Sequence, residues 1–151
     1  MTDTPASLGF RWPAEWEPHR ATWLAWPHNR ETWPGRLDAA EEAVARIVRA
    51  LAGREQVVIT VCDAAVEDRA RGCLIAAGLD PERRGLRLAA IPSNDAWIRD
   101  HGPLFVVRGA GAARERAVVD FRFNAWGGKY PPWDEDDAVP RRIAEEQGLR
   151  R

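Results

Sequence analysis

The sequence predicts a mixed fold of helices and strands, and three observations lead to it. Solid apolar runs rich in β-branched residues, QVVITV (56–61) above all, alternate with stretches whose apolar residues follow helical spacing. Two further runs, LFVVRG (104–109) and RAVVDFRF (116–123), follow one another with only a small-residue turn between them. No long linker or low-complexity tract divides the 151 residues, a length that suits one ordinary domain. Strand-rich units interrupted by helices fit an open α/β sheet or a repeat of small mixed units, and periodicity leaves both open.

The elements follow in order. RATWLAWP (20–27) reads as a short strand bounded by Pro18 and Pro27. From Leu37 the positions Ala40, Val44, Ile47, Val48 and Leu51 keep helical spacing until Gly53 stops the run. QVVITVCD (56–63) is a buried strand, AAVEDRARGCLIAAG (64–78) a second helix ending at Gly78, and GLRLAAIP (85–92) another strand closed by Pro92. The loop NDAWIRDHGP (94–103) leads to the hairpin-like pair, and NAWGGKYPPW (124–133) leads to a last helix, DEDDAVPRRIAEEQG (134–148). Its acidic residues stand at the positive helix end, and Pro140 is expected near its first turn.

Composition narrows the function classes. Lys plus Arg (22) nearly balance Asp plus Glu (23), so no general basic field draws in nucleic acid. No window is uniformly apolar over the length a bilayer requires, and MTDTPASLGF lacks the basic start and apolar run of a secretory signal, so the expected compartment is the cytoplasm. Cys62, Cys73 and the three histidines, His19, His28 and His101, lack metal-site spacing, and no metal is expected. Eight tryptophans are unusual. Aromatic ladders can stack sugars or bases, but Trp12, Trp16, Trp23, Trp26 and Trp33 read first as a Trp-rich core and a buried N-terminal segment.

The loop NDAWIRDHGP holds the densest chemistry. Asp95 and Asp100 flank Trp97, and carboxylates beside an indole suit a planar cation: a guanidinium offers coplanar N–H donors to the carboxylate and a charged face to the ring. The alternative is that Asp100 pairs with a neighbouring arginine while Trp97 packs in the core. GGK in NAWGGKYPPW lacks the phosphate-loop frame, so its glycines are read as permitting a tight turn that brings Trp126 to a ligand or a neighbouring loop. WDEDD reads as a solvated helix start. Cys62, at a buried strand end, and Cys73, inside a helix, have nothing evident to lower their pKa and read as inert.

Together PAEWEPHRATWLAWPHNRETWPG (13–35), NDAWIRDHGP and DFRFNAWGGKYPPWDEDDAVPRRIAEEQG (120–148) resemble the agmatine deiminase family, which is related to bacterial-type peptidylarginine deiminases. The segments occur in the family's order, and the resemblance runs from Phe10 to Gln147, matching the first part of a family member. It implies an α+β fold, a partial α/β propeller of pentein type with about two of five ββαβ units, and residues 1–151 as the N-terminal portion of one catalytic domain whose C-terminal part is absent. The implied activity is hydrolysis of agmatine to N-carbamoylputrescine and ammonia in putrescine biosynthesis, with no metal or organic cofactor and with a small guanidine as the partner, not nucleic acid or membrane. In the family that the chain resembles, a cysteine thiolate attacks the guanidinium carbon, ammonia leaves with a proton from a histidine, and water resolves the thiouronium intermediate.

The family pattern aromatic-x-Arg-Asp maps onto Trp97, Arg99 and Asp100. By that resemblance Asp100 is catalytic, gripping two guanidinium nitrogens; Trp97 lines the substrate pocket; Arg99 supports the loop; and Asp95 and Trp126 match motif positions as further pocket residues. The histidine and nucleophilic cysteine belong to later motifs that do not occur here, so the chain alone is expected to be inactive. Two other readings stay open: a non-catalytic guanidine- or polyamine-binding module, and activity on peptidyl-arginine.

Overall fold

The computed structural model of the protein describes residues 4–151. Strands β1 (Ala21–Ala25), β2 (Gln56–Val61) and β3 (Leu86–Ala90) form a parallel sheet in the order β1-β2-β3, with Trp23 opposite Val58 and Ile59 opposite Leu88. Parallel neighbours need crossovers, supplied by helices α1 (Leu37–Leu51) and α2 (Ala64–Ala76). Asp63 caps α2, accepting the Val66 N–H at 2.8 Å.

The central strand explains its own composition. Val57, Ile59 and Val61 pack with Ala45, Val48, Ala70 and Leu74 of the two crossover helices. Val58 faces the other way, to Val139 and Ile143 of the last helix, α5 (Asp134–Glu146). A strand covered on both faces must be apolar at successive positions, and each such side chain contributes on the order of 1.5–3 kcal/mol of burial. A buried carboxylate ties the helices to the β1 exit: Glu41 accepts Trp26 Nε1–H at 2.9 Å and an Arg69 Nη2–H at 2.5 Å.

Strands β4 (Leu104–Arg108) and β5 (Glu115–Val119) form the expected antiparallel hairpin as a second sheet. Arg11 bridges to Val107 on one side of it and Arg150 to Ala117 on the other. Phe10 packs beneath Val106 and Ala117. The hairpin ends earlier than its sequence suggests, since Phe121 and Arg122 are exposed and irregular past Val119. Both sheets are open at their edges. No described helix is long and apolar enough to cross a membrane.

Two expectations need correction here. Trp26 is fully buried, and Trp23 and Trp33 are half-buried, but Trp12 is 66% and Trp16 89% exposed, so the N-terminal segment is not a buried unit. After the Arg11 bridge the chain leaves the sheet, and polar contacts hold it at the surface: Arg11 pairs with Glu17 at 2.6 Å, and Glu17 accepts the Ala14 N–H at 3.0 Å. Pro140 lies in the second turn of α5 rather than near the first, fully buried, so its missing N–H removes an internal helix bond.

Candidate active site

Loops leaving the carboxyl ends of β1 and β3 meet above the sheet, the place where open parallel sheets bind ligands. His28, just past β1, sets Nδ1 3.0 Å from the Trp26 carbonyl oxygen and Nε2 3.2 Å from that of Ser93. The Thr32 hydroxyl donates a short hydrogen bond to Asp95 Oδ2, and Asn29 Nδ2 donates to the same oxygen at 3.4 Å. The other oxygen of Asp95 accepts the Ala96 N–H at 2.7 Å. Asp95 is therefore occupied by donors of its own chain and joins the two loops.

Trp97 heads a single helical turn, α3 (Ile98–His101), its carbonyl accepting the Asp100 and His101 N–H groups at 2.9 and 3.1 Å. Its partly exposed ring stacks on Trp33 with centroids 5.9 Å apart and meets Trp126 edge-on at 6.3 Å. Trp126 in turn takes edge contacts from Phe123 at 5.4 Å and Tyr130 at 5.9 Å. The result is a partly exposed aromatic face of a kind that marks binding sites and can receive a cation.

The turn that presents Trp126, α4 (Ala125–Gly128), is left-handed: φ is +48° at Ala125, +55° at Trp126, +87° at Gly127 and +77° at Gly128. Asn124 closes it through its carbonyl, which accepts the Gly128 N–H at 2.7 Å, and its side chain, which accepts the Gly127 N–H at 3.0 Å. The two glycines adopt this conformation freely, whereas Ala125 and Trp126 adopt it at a cost of about 1–2 kcal/mol each. The glycines do permit the tight turn their sequence suggested, and it delivers Trp126 to the neighbouring loop.

Asp100 is exposed and, among the described residues, its carboxylate makes no ion pair or side-chain hydrogen bond. Arg99 pairs instead with Glu15 at 2.8 Å, with both side chains largely exposed. The alternative in which Asp100 neutralises its neighbouring arginine is thereby set aside, and the support Arg99 gives the turn is weak. Asp100 borders a cavity of about 260 Å³ shared with His101, Phe121, Arg122 and Phe123.

Beneath this surface lies a polar layer that the sequence did not disclose. Asp136 is 4% exposed, which corrects the reading of WDEDD as a solvated run: its Oδ1 accepts the Asn94 N–H at 2.7 Å and the Asp95 N–H at 3.1 Å. Asp137 likewise accepts the Phe123 N–H at 2.7 Å. Burial of Asp136 depends on residues some forty positions away, so no local pattern could reveal it; the one available signal was Asn94, a capping residue type with no helix directly following it.

The His101 side chain is completely buried, Nε2 facing the Asp95 carbonyl at 3.3 Å and Asp136 Oδ1 at 3.7 Å. Both neighbours are acceptors, so the tautomer protonated on Nε2 fits. Burial lowers the pKa of His101 below its ordinary value, against the opposing pull of Asp136.

Neither thiol is activated. Burial, then the neighbouring Asp63 carboxylate, pushes Cys62 up to about 11, and burial also raises Cys73. Among the described residues no group of three or more His, Cys, Asp or Glu side chains is gathered to hold a metal. The loop thus presents two features, an open carboxylate at Asp100 and a partly exposed aromatic face at Trp97, and both cysteines of the chain are held as neutral thiols.

Comparison with known proteins identifies the family. The family model for Porphyromonas-type peptidyl-arginine deiminase matches residues 11–151. The chain is 40% identical to the agmatine deiminase of Ectopseudomonas mendocina over 156 residues, covering 100% of this chain and 39% of that protein. It is 42% identical to the agmatine deiminase of Pseudomonas aeruginosa over 149 residues, covering 95% of this chain and 37% of that protein. The structure of Enterococcus faecalis agmatine deiminase superimposes with a TM-score of 0.83 at 32% identity, over 99% of this chain and 39% of that one. The chain thus spans about two fifths of the length of these relatives. On this match and these relatives, the chain belongs to the Porphyromonas-type peptidyl-arginine deiminase family and resembles, within it, the agmatine deiminases.

Proposed function

We propose that the full-length protein hydrolyses agmatine to N-carbamoylputrescine and ammonia, and that this chain is the N-terminal portion of its catalytic domain, supplying the guanidinium-binding side of the site. The observation that carries the reading is Asp100: an exposed carboxylate with no partner among the described residues, one helical turn from an indole within an aromatic face. Asp100 accepts hydrogen bonds from two guanidinium nitrogens and fixes the carbon for attack, each charge-assisted bond contributing about 1.5–3 kcal/mol. Trp97 and Trp126 line the pocket, Asp95 holds the loops that shape it, and Arg99 adds a surface tie.

The nucleophilic cysteine and the histidine come from the part of the relatives' length that this chain does not span, as does the closure of a five-unit, propeller-like arrangement around the site. The thiolate attacks the guanidinium carbon, ammonia departs with a proton from that histidine, and water then cleaves the thiouronium to release the carbamoyl product and the free thiol. The family's peptidyl-arginine name supports a second reading, a guanidine carried on a peptide. Product analysis on the full-length protein separates the two: carbamoylputrescine from agmatine supports the first, citrulline formed only in peptides supports the second, and unchanged substrates leave a guanidine-binding module.

A further inference from the structure

The acidic start of α5 grips the loop that leaves β3 and the segment that leads to Trp126. While Asp136 accepts the backbone N–H groups of Asn94 and Asp95, the Asn94 side-chain oxygen accepts those of Glu135 at 2.9 Å and Asp136 at 3.1 Å. First-turn amides have no intrahelical acceptor, so Asn94 caps α5 from a remote segment and α5 returns two bonds to that segment's amides. Arg142 adds a bond to the Pro92 carbonyl oxygen at 2.8 Å, and Asp137, one residue along, holds the Phe123 amide. The turn that carries Asp100 is four residues long, too short to persist alone, and its tie through Arg99 to Glu15 is solvent-exposed. Its inward anchors are Ile98, partly buried against the cluster that holds Val139 and Ile143, and His101, which itself faces Asp136 at 3.7 Å.

We propose that Asn94 and Asp136 form a reciprocal clamp that sets the position of the Trp97–Asp100 turn against its guanidinium ligand, making both of them positioning residues. This rests on the reading of Asp100 as the guanidinium ligand. A carboxylate must meet two guanidinium nitrogens in one plane while the carbon faces the nucleophile, and small misplacement of such a group lowers the rate steeply. The clamp acts through backbone amides at the start of the loop, so its loss leaves the chemistry of Asp100 intact and changes only where that side chain sits.

The test uses the full-length protein with agmatine, well below its thermal midpoint. Asn94→Ala and Asp136→Ala are expected to lower kcat/KM by roughly ten- to a hundredfold, chiefly in kcat, and the double variant no further than the worse single one, since either change opens the same clamp. Asp136→Asn keeps an oxygen that accepts the same two N–H groups and is expected to stay within about threefold of wild type. Amide exchange of residues 94–101 is expected to accelerate about tenfold or more in the alanine variants, with β2 unchanged. If Asp136→Ala fails to fold, Asn94→Ala carries the comparison. An active wild type whose alanine variants keep their kcat, whose double variant adds the two losses, or whose Asp136→Asn falls as far as Asp136→Ala overturns the clamp. A wild type inert on agmatine overturns the functional reading and the clamp with it.

Discussion

Asp95 and Asp100 stand five residues apart in one loop with different surroundings: the first is saturated by Thr32, Asn29 and its neighbour's amide, the second stands open to solvent. Spacing alone offered both as cation ligands, because it reports which groups are near in the chain and not which are already bonded. Trp97→Ala in the full-length protein is expected to raise KM more than it lowers kcat, because the ring supplies surface rather than charge; steady-state kinetics with agmatine checks this. Cys62→Ser and Cys73→Ser are expected to leave kcat unchanged, with any loss traceable to stability, since both thiols are held neutral. A haloacetamidine mimic of the guanidinium should label neither; agmatine-protected labelling of Cys62 or Cys73, mapped by mass spectrometry, would show a nucleophile within this chain. His101 gives a pH prediction. Its folded pKa lies below the ordinary histidine value of about 6.5, so the unfolded chain takes up the proton first, and stability that is full above that pH is lost as pH falls toward the folded value. Asp136, Asp95 and Asp100 are the charged groups that act on it. Burial pushes the Asp136 carboxyl up, which acts in the opposite direction, so the test is a difference between proteins: from pH 7.5 to pH 5.5 the wild-type midpoint should fall relative to that of His101→Gln.

At the scale of elements, what was legible had a local cause. β2 could be read because a strand buried on both faces must be apolar throughout, and α1 because its apolar residues recur on one face. β5 ends sooner than DFRF implied: Phe121 is an exposed aromatic in irregular chain, and strand-like composition does not supply a pairing partner. The start of α5 was misread for the opposite reason, since a carboxylate at a helix N-terminus favours the dipole whether it is solvated or clamped, and only tertiary structure distinguishes the cases. The tight turn at Trp126 was anticipated through its glycines; the positive φ of Ala125 and Trp126 was not. Gly127→Ala is expected to cost about 1–2 kcal/mol from backbone strain alone, because its φ is +87° and an added Cβ meets nothing within 4 Å. Chemical denaturation checks the magnitude, and an unchanged midpoint would mean the turn relaxes freely.

Across the whole molecule, the strands and helices of the core were readable one by one, while their arrangement, a parallel sheet between α1 and α2 on one side and α5 on the other, was left open, and the site above it was readable only as a set of residue types. Which of them stay free depends on contacts between segments remote in sequence: Thr32 with Asp95, Asn94 with Asp136, Trp33 with Trp97. The chain spans about two fifths of its relatives and holds no activated thiol. Purified alone, it is expected to release no ammonia from agmatine, and time-dependent carbamoylputrescine formation above a protein-free control would contradict that. The most direct measurement compares wild-type and Asp100→Asn full-length protein with agmatine, following ammonia and carbamoylputrescine together with the thermal midpoint. Asp100 is exposed, so the midpoint should hold while kcat/KM falls at least about a hundredfold as the charge facing the guanidinium is removed. Near-normal turnover in Asp100→Asn, or a wild type that leaves agmatine unchanged, would contradict the role assigned to this carboxylate.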